Sequence, residues 1–358
     1  MPNQRAIAAA AGVTQAAVSR ALRGDRSISP ATRQRIERAA KRLGYRPNAY
    51  VSSLMTHIRS GRPLRDKGCI AVLVDAASER EWSINLPGSY TQRLQYRGIK
   101  NRAEALGFSS ERFFLQEFVK NPLHIDHVLT ARGISGVVLM PQRPGSSVPS
   151  LAWARYASAA IAYTWSGVNI DRVSTHHRHN VETAFSTLLS RNYEKIGMCL
   201  PPEAMTGADF SWRERFLLWQ DRLPKRSRIP LFVGKPGLSP IGAFRVWMGK
   251  WKPDALIGLV GHEKEWLDEM GLRTPQDIGM ACVNRPLDSS FSGVEENHEA
   301  IGATALDLVA SQIQRNEFGS PPTPKIILIE GTWVEGKTLR LAGDRGSSGL
   351  KLKSRWDA

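Results

Sequence analysis

Apolar residues recur at helical spacing along the first part of the chain and gather into short unbroken runs later, which separates an all-α head from an α/β body. Residues 4–11 form an Ala-rich helical stretch anchored by Ile7, closed by Gly12, where a helix C-terminus favours a residue tolerant of positive φ. Thr14 has the chemistry of an N-cap for a second helix over 15–22. Val18 and Leu22 line its inward face, and Gln15, Ala16, Ser19 and Arg20 lie on another. Ser29-Pro30 opens a third helix, in which Ile36, Ala39, Ala40 and Leu43 make one apolar stripe opposite Arg33, Arg35, Arg38, Lys41 and Arg42. Two short helices joined by a Gly turn and packed by a third make a helix-turn-helix, whose second helix is built to enter a major groove.

Beyond residue 68 the pattern changes. CIAVLV (69–74), GVVLM (136–140) and IILI (326–329) are apolar runs suited to buried strands, and 113–115, 159–163, 196–200, 255–259 and 279–283 are similar. Helix-like stretches such as 90–106 separate them, and this alternation predicts parallel α/β sheets. Gly61, Pro63 and Gly68 mark a linker between head and body, and the polar, Gly- and Ser-rich segment 342–358 reads as a disordered tail.

Charge sharpens the division. The 358 residues carry a net charge of +16. Residues 1–65 hold 13 Lys and Arg against only Asp25 and Glu37, and the other 293 residues hold 36 basic against 31 acidic. A basic head on a near-balanced body calls for an anionic partner for the head. Cys69, Cys199 and Cys282 are far apart and read as free thiols rather than as a disulfide or zinc framework. No apolar stretch is long enough to span a bilayer and no cleavable leader is legible, which points to the cytoplasm. The run His176-His177-Arg178-His179 has no metal-ligand spacing and reads as a polar helix entry, so no metal and no cofactor are expected. No G-x-S-x-G, phosphate loop or H-E-x-x-H is present, and no enzymatic constellation is expected.

The segment AGVTQAAVSRALRGDRSISPATRQRIERAAKRLGYRPNAY resembles the signature of the LacI family of bacterial regulators, in particular Gly12-Val13-Thr14, Val18-Ser19-Arg20 and the element Leu43 to Asn48. In the body, PDALIGLVGHEKEWL, GLRTPQDIGMACVN and LIEGTWVEGKTLR are similar to further family elements. The resemblance implies a helix-turn-helix head at 1–46, a hinge helix and linker at 47–67, and an effector-binding and dimerisation body at 68–341. The body would hold two Rossmann-like subdomains of periplasmic-binding-protein type, one at about 68–163 and 293–325, the other at about 164–292 and 326–341. It implies a repressor that binds double-stranded operator DNA as a homodimer, with a small-molecule effector, a sugar or related metabolite, between the subdomains.

Carried over position by position, the resemblance makes Gln15, Ala16 and Arg20 base readers. Asn3, Thr14, Ser19, Arg23, Ser27, Thr32, Tyr45 and Asn48 would contact phosphate or fix register. In the hinge helix, Val51 would pack and Leu54 would wedge into the minor groove, where an apolar side chain unstacks a base step. The effector candidates are Asp75, Tyr163, Arg213, Arg215, Asn284, Glu296 and His298. The chain departs from the family at Val260-Gly261, where sugar-binding members usually carry Asn-Asp.

Overall fold

The computed structural model describes residues 4–22, 28–43, 68–83, 89–143, 146–201, 211–233 and 239–341. The chain divides into two compact units, one comprising 1–68 with 311–317 and the other the rest. The linker and hinge (44–67) and the tail (342–358) lie outside the described residues.

The head has three helices, α1 (Gln4–Ala11), α2 (Gln15–Leu22) and α3 (Pro30–Arg42). Gly12 adopts φ +61°, and Val13 N–H donates to Ala8 O at 3.0 Å, so the turn needs the conformational freedom of glycine. Thr14 Oγ1 accepts from Ala17 N–H at 3.2 Å, the bond expected of an N-cap. Ser29 Oγ accepts from Thr32 N–H and Pro30 takes the first helical position. Ile7, Val18 and Ile36 are fully buried, with Ala11, Ala21 and Ala39 around them. Small alanines let three short helices approach closely.

The body holds two sheets. In chain order its elements are β1 (Cys69–Val74), α4 (Glu79–Ser83), α5 (Ser89–Ala105), β2 (Ser109–Phe114), α6 (His124–Ala131), β3 (Gly136–Leu139), β4 (Ala157–Ile161) and β5 (Asp171–Thr175). There follow α7 (His177–Ser190), β6 (Ile196–Met198), α8 (Ser211–Arg222), α9 (Pro240–Trp251), β7 (Ala255–Gly258), α10 (Glu263–Glu269), β8 (Gly279–Cys282) and β9 (Ser292–Glu295). Last come α11 (His298–Arg315), β10 (Ile326–Ile329) and β11 (Thr332–Val334). The first sheet runs β10-β5-β4-β3-β1-β2, all parallel, and the second β11-β9-β8-β7-β6, parallel but for β11 against β9.

The strands place the boundary between the subdomains differently from the sequence expectation. β5 and β10 belong to the first sheet, although 164–292 and 326–341 were expected in the second. β5 was hidden because its side chains are polar. Arg172 lies beneath the loop after β4 and donates to Trp165 O at 2.7 Å and Val168 O at 2.9 Å. Asp171 Oδ1 accepts from Lys325 N–H at 2.8 Å, tying β5 to the approach of β10. The chain passes between the sheets three times, from β5 to α7, from β9 to α11 and from β10 to β11.

Candidate nucleic-acid interface and ligand cleft

In the head, α2 buries Val18 and Ala21 and exposes Gln15, Ala16 and Arg20. Three side chains of different chemistry thus stand on the solvent face of a helix whose other face is locked into the core. Gln15 offers a bidentate amide, Arg20 a guanidinium fork and Ala16 a methyl, the groups that read base edges. Thr14 is exposed at the N-terminus of α2, while Thr32 is half-buried and Ser29 Oγ donates to its hydroxyl at 2.9 Å. Ser19 lies within α2. Arg35, Arg38, Lys41 and Arg42 are exposed on α3, with Arg38 Nε donating to Gln34 O at 3.4 Å. Asn3, Arg23, Ser27, Tyr45, Asn48, Val51 and Leu54 lie outside the described residues.

In the body, the carboxyl ends of β5, β8 and β9 bring a polar cluster together, centred on the buried Glu296. Glu296 accepts from Thr175 Oγ1 and from Asn180 Nδ2, both at 3.3 Å. His177 Nδ1 lies 3.5 Å from its Oε1 and His298 Nε2 3.8 Å from its Oε2. His298 Nε2 also lies 3.0 Å from Asn284 Oδ1. Burial lowers the His298 pKa against the opposing pull of Glu296, which favours the neutral ring. Since Asn284 Oδ1 can only accept, Nε2 carries the proton and Nδ1 keeps its lone pair. The indole of Trp212, on α8, packs against His177 with ring centroids 4.2 Å apart.

Trp212 Nε1 and His298 Nδ1 are buried without a hydrogen-bond partner, and His177 Nδ1 has only its 3.5 Å approach to Glu296. Buried polar atoms are ordinarily paired, so the unpaired Trp212 donor and His298 ring nitrogen set this cluster apart from the rest of the core. A cavity of 290 Å³ opens beside His298, walled by Tyr90, Leu94, Arg285, Leu287 and Asn297.

The predicted effector residues divide. Asn284, Glu296 and His298 belong to this cluster. Asp75, at the end of β1, accepts from Arg143 N–H at 2.8 Å, Ser146 Oγ at 2.6 Å and Gln116 Nε2 at 3.4 Å. Three donors occupy most of its acceptor capacity, so Asp75 latches the loop after β3 to the end of β1. Tyr163 is half-buried beyond β4. Arg213 is exposed on α8, and Arg215 pairs with Glu182. Glu214 pairs instead with Arg178 at 2.8 Å. At the departure noted above, Gly261 has φ +98° and any Cβ there would strike the Phe291 ring, so glycine is dictated locally. Thr175, His177, Asn180 and Trp212 were not anticipated. His177 was visible only within its histidine run, and Trp212 stands beside the predicted Arg213.

Residues 5–48 match the family model described as bacterial regulatory proteins, lacI family. Over 55 residues the chain is 46% identical to the HTH-type transcriptional regulator CelR of Thermobifida fusca, covering 15% of this chain and 16% of that protein. Over 49 residues it is 53% identical to the HTH-type transcriptional regulator PtxS of Pseudomonas plecoglossicida, covering 13% and 14%. These matches thus span about a sixth or less of either relative's length. A CelR–cellobiose complex superposes over 94% of this chain and 100% of its own, with TM-score 0.53 and 18% identity. A lac repressor dimer bound to operator and the anti-inducer ONPF superposes over 95% and 100%, with TM-score 0.54 and 18% identity. The protein therefore has a helix-turn-helix head that matches the lacI family model and an α/β body of two sheets. Its fold is that of the lac repressor and CelR.

Proposed function

We propose that this protein is a sequence-specific DNA-binding transcriptional regulator of the repressor kind, acting in the cytoplasm. It binds an inversely repeated operator as a homodimer, and a small molecule held in the body modulates that binding. The exposed trio Gln15, Ala16 and Arg20, above a buried floor of Val18 and Ala21, carries this proposal. Two-fold pairing supports it physically, because one such head buries little surface on DNA and a dimer doubles it. Among the described residues no helix is long and apolar enough to cross a membrane.

Selection of bound sequences from a genomic library tests the function directly. Arg20→Ala is expected to relax preference at one base position and cost about 1–3 kcal/mol on the best site. Arg38→Ala is expected to weaken all sequences evenly, as a phosphate contact does. If both variants select the same motif as the parent protein with the same affinity loss, Arg20 is not a base reader.

For the body, the free Nδ1 lone pair of His298 favours a ligand carrying a hydroxyl or amine donor, and the free N–H of Trp212 favours one that also accepts. CelR, whose fold is similar, forms a complex with cellobiose, which supports a sugar as the ligand class. A thermal-shift screen of sugars and their acids is expected to find a stabilising compound, and His298→Gln should weaken it about 10-fold by stranding the matching donor. Equal affinity in the variant would place the ligand elsewhere.

A further inference from the structure

We infer that His176, His179 and Glu330 form a binding site for a single divalent transition-metal ion of the zinc class, placed where two crossovers between the sheets run side by side. His176 is the N-cap of α7 and His179 lies in its first turn, which brings the two side chains to the same end of the helix. Their rings stack with centroids 5.7 Å apart. Glu330 follows β10, which pairs in register with β5, Ile329 beside Thr175, so the next residues of the two strands, Glu330 and His176, emerge together. His176 N–H donates to Ile329 O at 2.8 Å, which fixes that junction.

Glu330 Oε1 lies 3.5 Å from His176 Nδ1 and 3.8 Å from His179 Nδ1, and one ligand atom from each residue falls within 4.8 Å of the other two. Four-coordinate zinc holds its nitrogen and oxygen ligands at about 2.0–2.2 Å, which sets neighbouring ligand atoms roughly 3.3 Å apart. The two carboxylate–imidazole pairs need close only by tenths of an ångström, and the two imidazoles are brought together by ring rotation. Two imidazoles and one carboxylate suit zinc, cobalt or nickel rather than magnesium or calcium, which prefer oxygen-rich shells.

The supporting contacts suit the same role. His179 Nε2 lies 3.4 Å from Thr183 Oγ1, one turn further along α7. With Nε2 donating to that hydroxyl, Nδ1 keeps its lone pair directed towards Glu330. A ligand histidine is ordinarily held in this way by its second nitrogen. The Glu330 backbone is anchored on both sides, since Asn297 Nδ2 donates to Glu330 O at 2.8 Å and Gly331 N–H donates to Asn180 Oδ1 at 3.2 Å. Asn297 belongs to the remaining crossover, from β9 to α11, so all three connections between the sheets meet around the site. The neighbouring side chains of the run are engaged elsewhere, His177 inward on Glu296 and Arg178 on Glu214. The histidine side chains are 33% exposed and that of Glu330 64%, so an ion reaches the site from solvent and water completes its shell. A bound ion ties the segment leaving β5 to the segment leaving β10 and stiffens the connection across which the subdomains would move.

Titration of the untagged full-length protein with Co²⁺, followed by Zn²⁺ competition, tests the site. The expected result is one Co²⁺ per chain with the visible bands of a four-coordinate ion, displaced by Zn²⁺, and a thermal midpoint raised by Zn²⁺ but not by Mg²⁺. Glu330→Gln and His179→Ala should each weaken binding at least about 10-fold, and Thr183→Val by a smaller factor through loss of ring orientation. His124→Ala combined with His127→Ala, on α6, should change nothing. Melting without metal checks that the variants fold; if His179→Ala does not, the near-isosteric Glu330→Gln decides alone. No saturable binding, or one-to-one binding unaffected by Glu330→Gln, overturns the inference.

Discussion

Glu263→Gln is expected to leave stability unchanged near pH 4 and to raise it by about 3 kcal/mol near pH 8. Glu263 opens α10 just beyond β7, is 6% exposed, and its Oε2 has no hydrogen-bond partner. Desolvation dominates there and pushes the carboxyl pKa up to about 7, against a smaller opposing effect of its own backbone N–H. Its negative charge in turn helps to raise the pKa values of the buried Cys199 and Cys282 thiols, for which burial is the larger cause.

A raised carboxyl pKa means that the folded protein binds its proton more tightly than the unfolded chain. Stability from this group is therefore complete below the unfolded value of 4.5, falls as pH rises towards about 7, and levels off above it. Glutamine imitates the protonated form at every pH, so the variant lacks that fall. Urea unfolding of both proteins at four pH values between 4 and 8 measures the difference, and the contribution of the head cancels. Parallel curves would show that Glu263 is solvated in the native state.

The head was legible almost to the residue, because its turns and caps are local. Gly12, Thr14, Ser29 and Pro30 each act on neighbours within a few positions, and the structure shows each local contact. Apolar runs likewise disclosed buried strands such as β1 and β3. The run IILI does form β10, but at the edge of its sheet with Ile326 and Leu328 exposed rather than buried. What escaped was either polar or distant. β5 carries Asp171 and Arg172 because their partners are backbone groups of adjoining loops, so its period does not read as a buried strand. β11 is a short antiparallel edge strand.

The site residues followed the same division. The family pattern indicated Asn284, Glu296 and His298, but the pairing of His177 with Trp212 depends on how α7 meets α8. Asp75 stands at the end of β1, but its donors come from residues 116, 143 and 146, contacts that no local pattern in the sequence reveals. The histidine run lacked a carboxylate in sequence because Glu330 arrives from the far end of the chain through the β10–β5 pairing.

Gly302→Ala is expected to destabilise the body by about 2–3 kcal/mol, although alanine is the better helix former. Helices α5 and α11 cross backbone against backbone at Gly98 and Gly302. A Cβ on Gly302 would overlap Gln95 O, and one on Gly98 would overlap Glu299 O. Both obstacles are main-chain atoms of the facing helix, so neither can swing aside as a side-chain tip can. The helices must separate, and the ion pairs Arg97–Glu299 and Arg102–Asp307 that flank the crossing must stretch with them. Gly249, on the exposed face of α9, supplies the control because a Cβ there meets nothing within 4 Å. Gly249→Ala should therefore stabilise by about 0.5–1 kcal/mol through helix propensity alone. The opposite signs separate close packing from propensity. The effect should also reach the ligand cluster, since Gly302 lies one turn beyond His298 on α11. Separation of α5 from α11 shifts His298 against Asn284 and Glu296. Gly302→Ala should thus weaken whichever compound the thermal-shift screen identifies, and Gly249→Ala should not. Denaturant unfolding and ligand titration on the two variants measure both effects, and stabilisation by Gly302→Ala would mean that the helices do not meet as closely as their glycines allow.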